Sequence, residues 1–438
     1  MIEIKINKSR LNTIKQRHYK FISKHIIGTY KDHLKKVTDK QVSGFIHKYL
    51  LNETRLKRLI IGTTDDLQTI IDDVNLNYPS IVTYNKGYFK NMYNDFNTYN
   101  IYSKTISGIN EIIKEIEEDG LVSVKNRFFL RRKSKKRKKG ELKPDYDYSG
   151  AGILSIENII SDMINEIELA EKKSCVSEEL VFILEKYKEK IIDRRQDIYN
   201  NYDYYKRYDS KDILWGPYAL LIELGLTVCP YCNRTFIHTY FGKDGKTRAE
   251  LDHFLAKSKY PYLSVSFYNL VPSCSVCNSN LKKVDDFTYA THLNPYVKGF
   301  ENEFRFTVKP IKDHTGRQNL DFLYGKSNKF RIDIVEKNCD SELAKKINAN
   351  IKVFKLVELN NFHKDYVSEL IRKSIIYNES RINELVNFKD NKNKNLFASK
   401  EEVLNMIVGN YTNKKDFDKR ILSKLLRDIA DELNLLDK

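Results

Sequence analysis

The sequence has 438 residues but only six cysteines, and no apolar run approaches the ~20 residues of a membrane span. So few cysteines in a chain this long argue against a disulfide framework and favour a reducing compartment. The opening residues, MIEIKINKSR, lack the apolar region of a secretory signal. There is no P-loop, because the string GKDGKT has two residues where that motif needs four. These absences lead us to expect a soluble cytoplasmic protein.

The charge balance is strongly basic. The formal net charge is +17 and the sequence pI is about 9.2. Such a balance favours a polyanionic partner, because lysine and arginine on phosphates release condensed counterions. The chain is also rich in Lys, Asn, Ile and Tyr, a composition that an AT-rich genome encodes. Charge alone is therefore a weak indication of nucleic-acid binding.

Helical periodicity dominates the chain, and we expect an α+β protein that is mostly α-helical with a small β unit and a few additional strands. We predict an N-terminal helical region, a basic strand or loop segment, a second helical region, a central unit rich in motifs, and a C-terminal region of strands followed by helices. These segments cover, in order, residues 1–120, 121–149, 150–212, 213–297 and 298–438.

Two CxxC pairs bracket the central unit. The first is CPYC and the second is CSVC, with 41 residues between the inner cysteines. Four thiolates close a tetrahedral shell around Zn²⁺ and leave no open position, so such an ion is structural. We predict one structural zinc bound by Cys229, Cys232, Cys274 and Cys277. The other two cysteines, Cys175 and Cys339, receive no role.

Between and after these pairs lie the strings LDHF, YNL and CN. The segment resembles the HNH, or ββα-metal, nucleases of the zinc-knuckle type, through CPYC, LDHFLAKSKYP, FYNLVPSCSVCN and Lys282. Many relatives carry histidine where this chain has Asn278, so this is the HNN variant. A proline is common in the family soon after the catalytic histidine, and here Ala256 stands instead. The resemblance covers roughly residues 213–296, under a fifth of the chain, and says nothing about the flanking helices.

The resemblance implies a role for each motif residue. Hydrolysis of a phosphodiester needs a deprotonated water, neutralised phosphoryl oxygens and help for the leaving oxygen. His253 is expected to be the general base, since a neutral imidazole can take a proton from water. Asp252 and Asn278 offer oxygen ligands to a catalytic Mg²⁺ or Mn²⁺. Asn269 is expected to hold the loop that sets the tilt of His253.

Basic residues are candidates for contact with nucleic-acid phosphates. Lys282 and Lys283 lie about one helical turn after Asn278. Eight of the nine residues before Gly140 are also basic, and this run is a phosphate-contacting arm, a solvated loop or a nuclear address. If the run is such an arm, neutralising its basic residues would weaken nucleic-acid binding, and the loss would shrink as salt rises. The run consists of Arg131, Arg132, Lys133, Lys135, Lys136, Arg137, Lys138 and Lys139.

The function stays open between three alternatives. We favour an HNH endonuclease acting on DNA in bacterial antiphage defence, since the motifs also resemble HNH proteins of Septu-type systems, some of which act with an ABC-type ATPase. The second alternative is an RNA endonuclease, acting for example on tRNA. The third is a zinc-stabilised nucleic-acid-binding protein without catalysis. An ATPase or sensor partner is expected, and an apolar stripe from Phe417 to Leu433 either docks it or packs on the core.

Overall fold

The computed structural model describes most of the chain and leaves several stretches undescribed. The basic run from Arg131 to Lys139 and the strand predicted just before it lie outside the described residues. The described residues are 1–28, 37–83, 89, 92–94, 96–97, 101–119, 151–172, 177–200, 215–242, 245–283, 285–300, 303–312, 314–318 and 320–436.

The chain divides into two compact units. The first consists of Met1–Met92, Leu224–His238 and Arg248–Lys438, and the second of Tyr93–Glu223 and Thr239–Thr247. Helices predominate among the described residues, and three small antiparallel sheets of two strands each accompany them. This agrees with the α+β class predicted from the sequence.

The described residues of the second unit form four helices and one hairpin. Isoleucines at helical spacing on its first helix (Ile109, Ile112, Ile113 and Ile116) form a buried stripe that packs with the next two helices. Strands β1 (Tyr240–Gly242) and β2 (Gly245–Thr247) pair antiparallel as a short hairpin. The helices are α6 (Ile101–Asp119), α7 (Ala151–Lys172), α8 (Ser177–Asn200) and α9 (Pro217–Leu224).

Five helices come first among the residues that the structure describes in the first unit. Sequence signals fix their starts: Asp39 accepts a hydrogen bond from Val42 N, and Thr63 and Asp66 form a reciprocal capping box. The first two helices continue as π-helical turns over Ile22–Ile27 and Ile46–Leu50. The helices are α1 (Lys8–Phe21), α2 (Lys40–Phe45), α3 (Glu53–Ile61), α4 (Thr64–Asn77) and α5 (Ser80–Thr83).

The motif residues lie on two short strands and a helix in the first unit. Strand β3 (Glu250–His253) pairs antiparallel with β4 (Leu270–Ser273), so that His253 lies opposite Leu270. Strand β4 is buried throughout and runs directly into the second CxxC. A short π-helical segment, Val276–Lys282, follows and is called here the knuckle helix. Strand, returning loop, strand and helix thus follow one another along this part of the chain.

A longer hairpin and six helices follow in the described C-terminal part of the first unit. Strand β5 (Phe304–Pro310) alternates in burial and pairs with β6 (Phe330–Glu336), and the buried face of the hairpin joins the core of the C-terminal helices. The helices are α10 (Ser341–Val353), α11 (Leu356–Asn360), α12 (Lys364–Ile376), α13 (Glu379–Val386), α14 (Lys400–Val408) and α15 (Ser423–Glu432).

The last helix is shorter than the apolar stripe predicts. It begins at Ser423 because Leu422 has a left-handed backbone (φ 60°) and donates its N–H to Asn233 O. Leu425 and Ile429 are buried against the β5–β6 hairpin, and Phe417 packs with Ile2 and Val228. The buried residues of the stripe therefore pack on the core of their own unit, as the second alternative expects.

Within the described parts of the chain, no helix is both long and apolar enough to cross a membrane.

Candidate functional site

Four buried cysteines converge in the first unit. Their sulfurs all lie within 4.8 Å of one another, and the Sγ atoms of Cys232 and Cys274 are 3.9 Å apart. A zinc–sulfur bond of about 2.3 Å gives a tetrahedron with edges of about 3.8 Å, so this spacing fits a Zn²⁺ ion. The cluster consists of Cys229, Cys232, Cys274 and Cys277. The predicted set of ligands is thus brought together, and it can hold a metal ion such as zinc.

The chemistry of the cluster also favours a cation. Hydrogen bonds from the other three thiols, Cys229 first, lower the pKa of Cys274, whereas burial raises the pKa of Cys229. Several thiolates this close and this buried repel one another, and a bound cation removes that repulsion. The fifth described cysteine, Cys339, is partly exposed and lies outside the cluster.

The residue after the first pair, Asn233, connects the knuckle to the C-terminal segment. Its backbone is left-handed (φ 52°), a conformation that asparagine tolerates better than most residues. Its side chain donates to Phe417 O at 2.9 Å and accepts from Lys424 N at 3.0 Å. The knuckle turn is therefore held from outside as well as through its cysteines.

Asp252 is buried and both of its carboxylate oxygens are hydrogen-bonded. Tyr231, the tyrosine of CPYC, donates its hydroxyl to Oδ2 at 2.6 Å, and Lys282 donates its ammonium to Oδ1 at 2.7 Å. Lys282 is itself buried and also donates to His253 O at 2.5 Å. Burial, with the carboxylate alongside, raises the pKa of Tyr231 well above its usual value, so its hydroxyl stays a donor. Lys282 thereby joins the end of the knuckle helix to β3.

Asn278 faces a different carboxylate. Its amide donates to Glu250 Oε2 at 2.8 Å, and Ser279 donates to the same oxygen at 2.7 Å. The ammonium of Lys282 lies where a cation bound to Asp252 would lie. Asp252 is thus paired with Lys282 and Asn278 with Glu250, and a site for Mg²⁺ or Mn²⁺ at Asp252 and Asn278 stays a prediction. Among the described residues, one group of three or more histidine, cysteine or acidic side chains is compact enough to bind one metal ion, and it consists of the four cysteines.

His253 ends β3 on the opposite face of the strand from Asp252. Its ring is partly exposed, and Nε2 lies 3.0 Å from the carbonyl oxygen of Ser264. A carbonyl only accepts, so Nε2 carries the proton and the lone pair of the neutral ring is on Nδ1. Burial, and then the positive charges of Lys257 and Lys282, lower the pKa of His253 to about 3. The ring is therefore neutral at neutral pH.

Asn269 hydrogen-bonds across the loop that separates β3 from β4. Its Oδ1 accepts from Leu255 N at 2.7 Å, and its Nδ2 donates to Leu263 O at 2.9 Å. Its own carbonyl accepts from Phe254 N at 2.9 Å. The side chain thus joins the two ends of the loop beside His253, which is the placement expected of a loop-holding asparagine.

The two lysines after Asn278 differ. Lys282 is buried in its ion pair, so it does not present its ammonium to a phosphate as the spacing predicts. Lys283 is exposed, and its left-handed backbone (φ 50°) ends the knuckle helix. Of the nearby histidines, His292 stacks on Phe287 with ring centroids 3.7 Å apart, and His238 stacks on Phe236.

Sequence reasoning missed two contacts of Asp252 and one of Asn278. Tyr231 stands between two cysteines, and nothing in the CPYC string distinguishes a tyrosine that donates to a carboxylate from one that only packs. The position of Lys282 one helical turn after Asn278 predicts a phosphate contact, and nothing in the local sequence indicates a buried lysine. Glu250 lies two residues before Asp252 and so on the same face of β3, a period-2 signal that could have indicated it.

We predict that Lys282→Met lowers the free energy of unfolding by about 3–5 kcal/mol, because it leaves Asp252 buried without its counter-charge. Chemical denaturation followed by circular dichroism measures this. Lys345→Met is the matched control, since its pair with Glu342 is exposed on both sides and contributes little. Equal, small losses in the two variants would contradict the structural importance of the buried pair.

The chain was compared with known proteins. It is 32% identical to the Septu protein PtuB of Bacillus thuringiensis over 117 residues, which are 25% of this chain and 42% of that protein. The chain thus spans less than half the length of this relative. No protein-family model and no solved structure matches. The similarity supports a link to Septu-type systems over about a quarter of the chain.

Proposed function

We propose that this chain is an HNH-type endonuclease that hydrolyses phosphodiester bonds of DNA in antiphage defence. The observation that carries the proposal is the placement of His253. His253 ends β3, and the paired strand β4 runs into the second CxxC. The cysteine cluster therefore holds both strands and the knuckle helix beside this histidine. The similarity to PtuB supports the defence setting.

The side chains near His253 suit proton transfer from water. With Nε2 donating to Ser264 O, Nδ1 of the neutral ring is the atom that takes the proton of the attacking water. A pKa of about 3 keeps the ring unprotonated, although it also weakens the ring as a base. Asn269 fixes the loop that carries Ser264, and thereby the orientation of the ring.

The zinc that the cysteines would hold has a structural part in this proposal. Bound by four thiolates, it has no open position for a water or a phosphate. A requirement for catalytic Mg²⁺ or Mn²⁺ remains a prediction from the sequence, and the pairing of Asp252 with Lys282 does not favour it. This requirement is tested by measuring the cleavage rate of zinc-loaded protein at increasing concentrations of each ion.

Cleavage assays on two substrates test the function. Purified full-length protein is incubated with supercoiled plasmid DNA or with total RNA, each with Mg²⁺, with Mn²⁺ and with neither. We expect nicked and linear plasmid. Cleavage of RNA alone would support the second function considered, and binding without cleavage of either substrate would support a non-catalytic nucleic-acid-binding protein.

We also propose that an ATPase or sensor protein controls the nuclease, because an unrestrained nuclease would damage its host. We expect co-expression with the products of neighbouring genes to give a complex that elutes earlier in size-exclusion chromatography than the chain alone. A chain that stays alone, and that is fully active yet harmless to its host, would contradict this.

A further inference from the structure

Three segments of the N-terminal helical region converge on the loop beside His253. Each contacts a different one of three consecutive residues in that loop, Ser264, Val265 and Ser266. All three loop residues are buried. The contacts are long-range in sequence, and the motifs of the central unit do not include them.

The contacts are hydrogen bonds between a side chain and a backbone carbonyl. Ser266 donates its hydroxyl to Leu59 O at 2.6 Å, at the end of α3. His18 on α1 donates from Nε2 to Val265 O at 2.8 Å. Ser264 donates to Phe89 O at 3.3 Å. A buried carbonyl that loses its donor is costly, so these bonds resist displacement of the loop.

Apolar packing supports the same contact. Tyr262, in the loop, meets Phe45 of α2 edge to face with ring centroids 5.5 Å apart. The ring of His18 meets Phe267 in the same way at 5.9 Å. Burial lowers the pKa of His18 to about 4, so it is a neutral donor rather than a charge in the core. The N-terminal helices therefore form one wall of the loop.

We propose that His18 and Ser266 are positioning residues, through which the N-terminal helices set the orientation of His253. The link is Ser264, whose carbonyl accepts from the ring of His253. The next residue, Val265, is held by His18, and Ser266 is held by its own hydrogen bond to Leu59 O. Asn269 fixes the loop from its other side. The expected effect of these residues on catalysis rests on the proposed nuclease function, whereas their effect on the conformation of the loop does not.

The test compares Ser266→Ala and His18→Leu with two reference variants. Ser368→Ala is the matched control, because Ser368 is also a buried serine, and its hydroxyl donates to Asn328 at 2.7 Å. His18→Gln is the conservative variant, because a glutamine amide can still donate to Val265 O. Two quantities are measured on the full chain: hydrogen exchange of the peptide spanning residues 254–269, and kcat and KM on supercoiled plasmid.

Ser266→Ala and His18→Leu are expected to speed exchange in that peptide and to lower kcat about tenfold with little change in KM, because a small displacement of a reacting group is enough for such a loss. Ser368→Ala should change neither, and His18→Gln should recover most of both. Exchange and kcat in Ser266→Ala and His18→Leu that equal those of Ser368→Ala would overturn the proposal. If the wild-type chain does not cleave DNA, the proposed function fails, and the exchange measurement still decides whether the loop is held this way.

Discussion

Replacing His253 by alanine is expected to reduce DNA cleavage by about 10²–10⁴-fold, the usual contribution of a general base. The expectation follows from the position of the ring at the end of β3, with its proton on Nε2 held by Ser264 O. It is measured as the rate of plasmid nicking at saturating protein. His238→Ala is the control, because that histidine is exposed and stacks on Phe236.

A second variant separates chemistry from folding. In His253→Gln the side-chain amide can still donate to Ser264 O, but it has no basic nitrogen to take a proton. We expect this variant to melt with the wild type and to cleave no faster than His253→Ala. Wild-type cleavage by His253→Gln would remove His253 from the mechanism, even if the chain is a nuclease.

The local parts of the site were predictable from the sequence. CxxC presents two sulfurs to one ion through a tight turn, so the spacing of the four cysteines alone indicated their convergence. The alternation of β5 and the cap at Asp39 are similarly local features, because strand and cap signals act over a few residues. The predicted convergence of the four cysteines is confirmed.

The remaining contacts depend on residues far apart in the chain. His18 and Val265 are 247 positions apart, and Ser266 and Leu59 are 207 positions apart, so no window of sequence contains either pair. Whether Lys282 contacts a phosphate or a carboxylate depends on which residues lie against the end of the knuckle helix. These are Asp252 and the Tyr231 that donates to it. Both the long-range hydrogen bonds and the partner of Lys282 result from tertiary packing, which the periodicity of the sequence does not encode.

The cysteine cluster connects the elements of the site, so the loss of one cysteine is expected to affect all of them. Strand β4 ends at Ser273, immediately before Cys274, and the knuckle helix carries Cys277 and ends at Lys282. A metal bound there would join the first knuckle to both elements. Without the metal, β4, which pairs with the strand of His253, and Lys282, which pairs with Asp252, are no longer joined through the cluster.

Cys274→Ser is therefore expected to abolish stoichiometric zinc binding and the cooperative melting of the first unit, because zinc binding by such sites contributes about 10–16 kcal/mol to folding. Metal analysis by plasma mass spectrometry on protein purified without chelator should find one zinc per wild-type chain. Cys339→Ser, outside the cluster, should keep both the zinc and the melting transition. DNA cleavage by Cys274→Ser should fall with the fold, because β3 and β4 then lose their register beside His253. Wild-type protein that contains no zinc, yet melts cooperatively, would show that the four buried thiols pack without a metal.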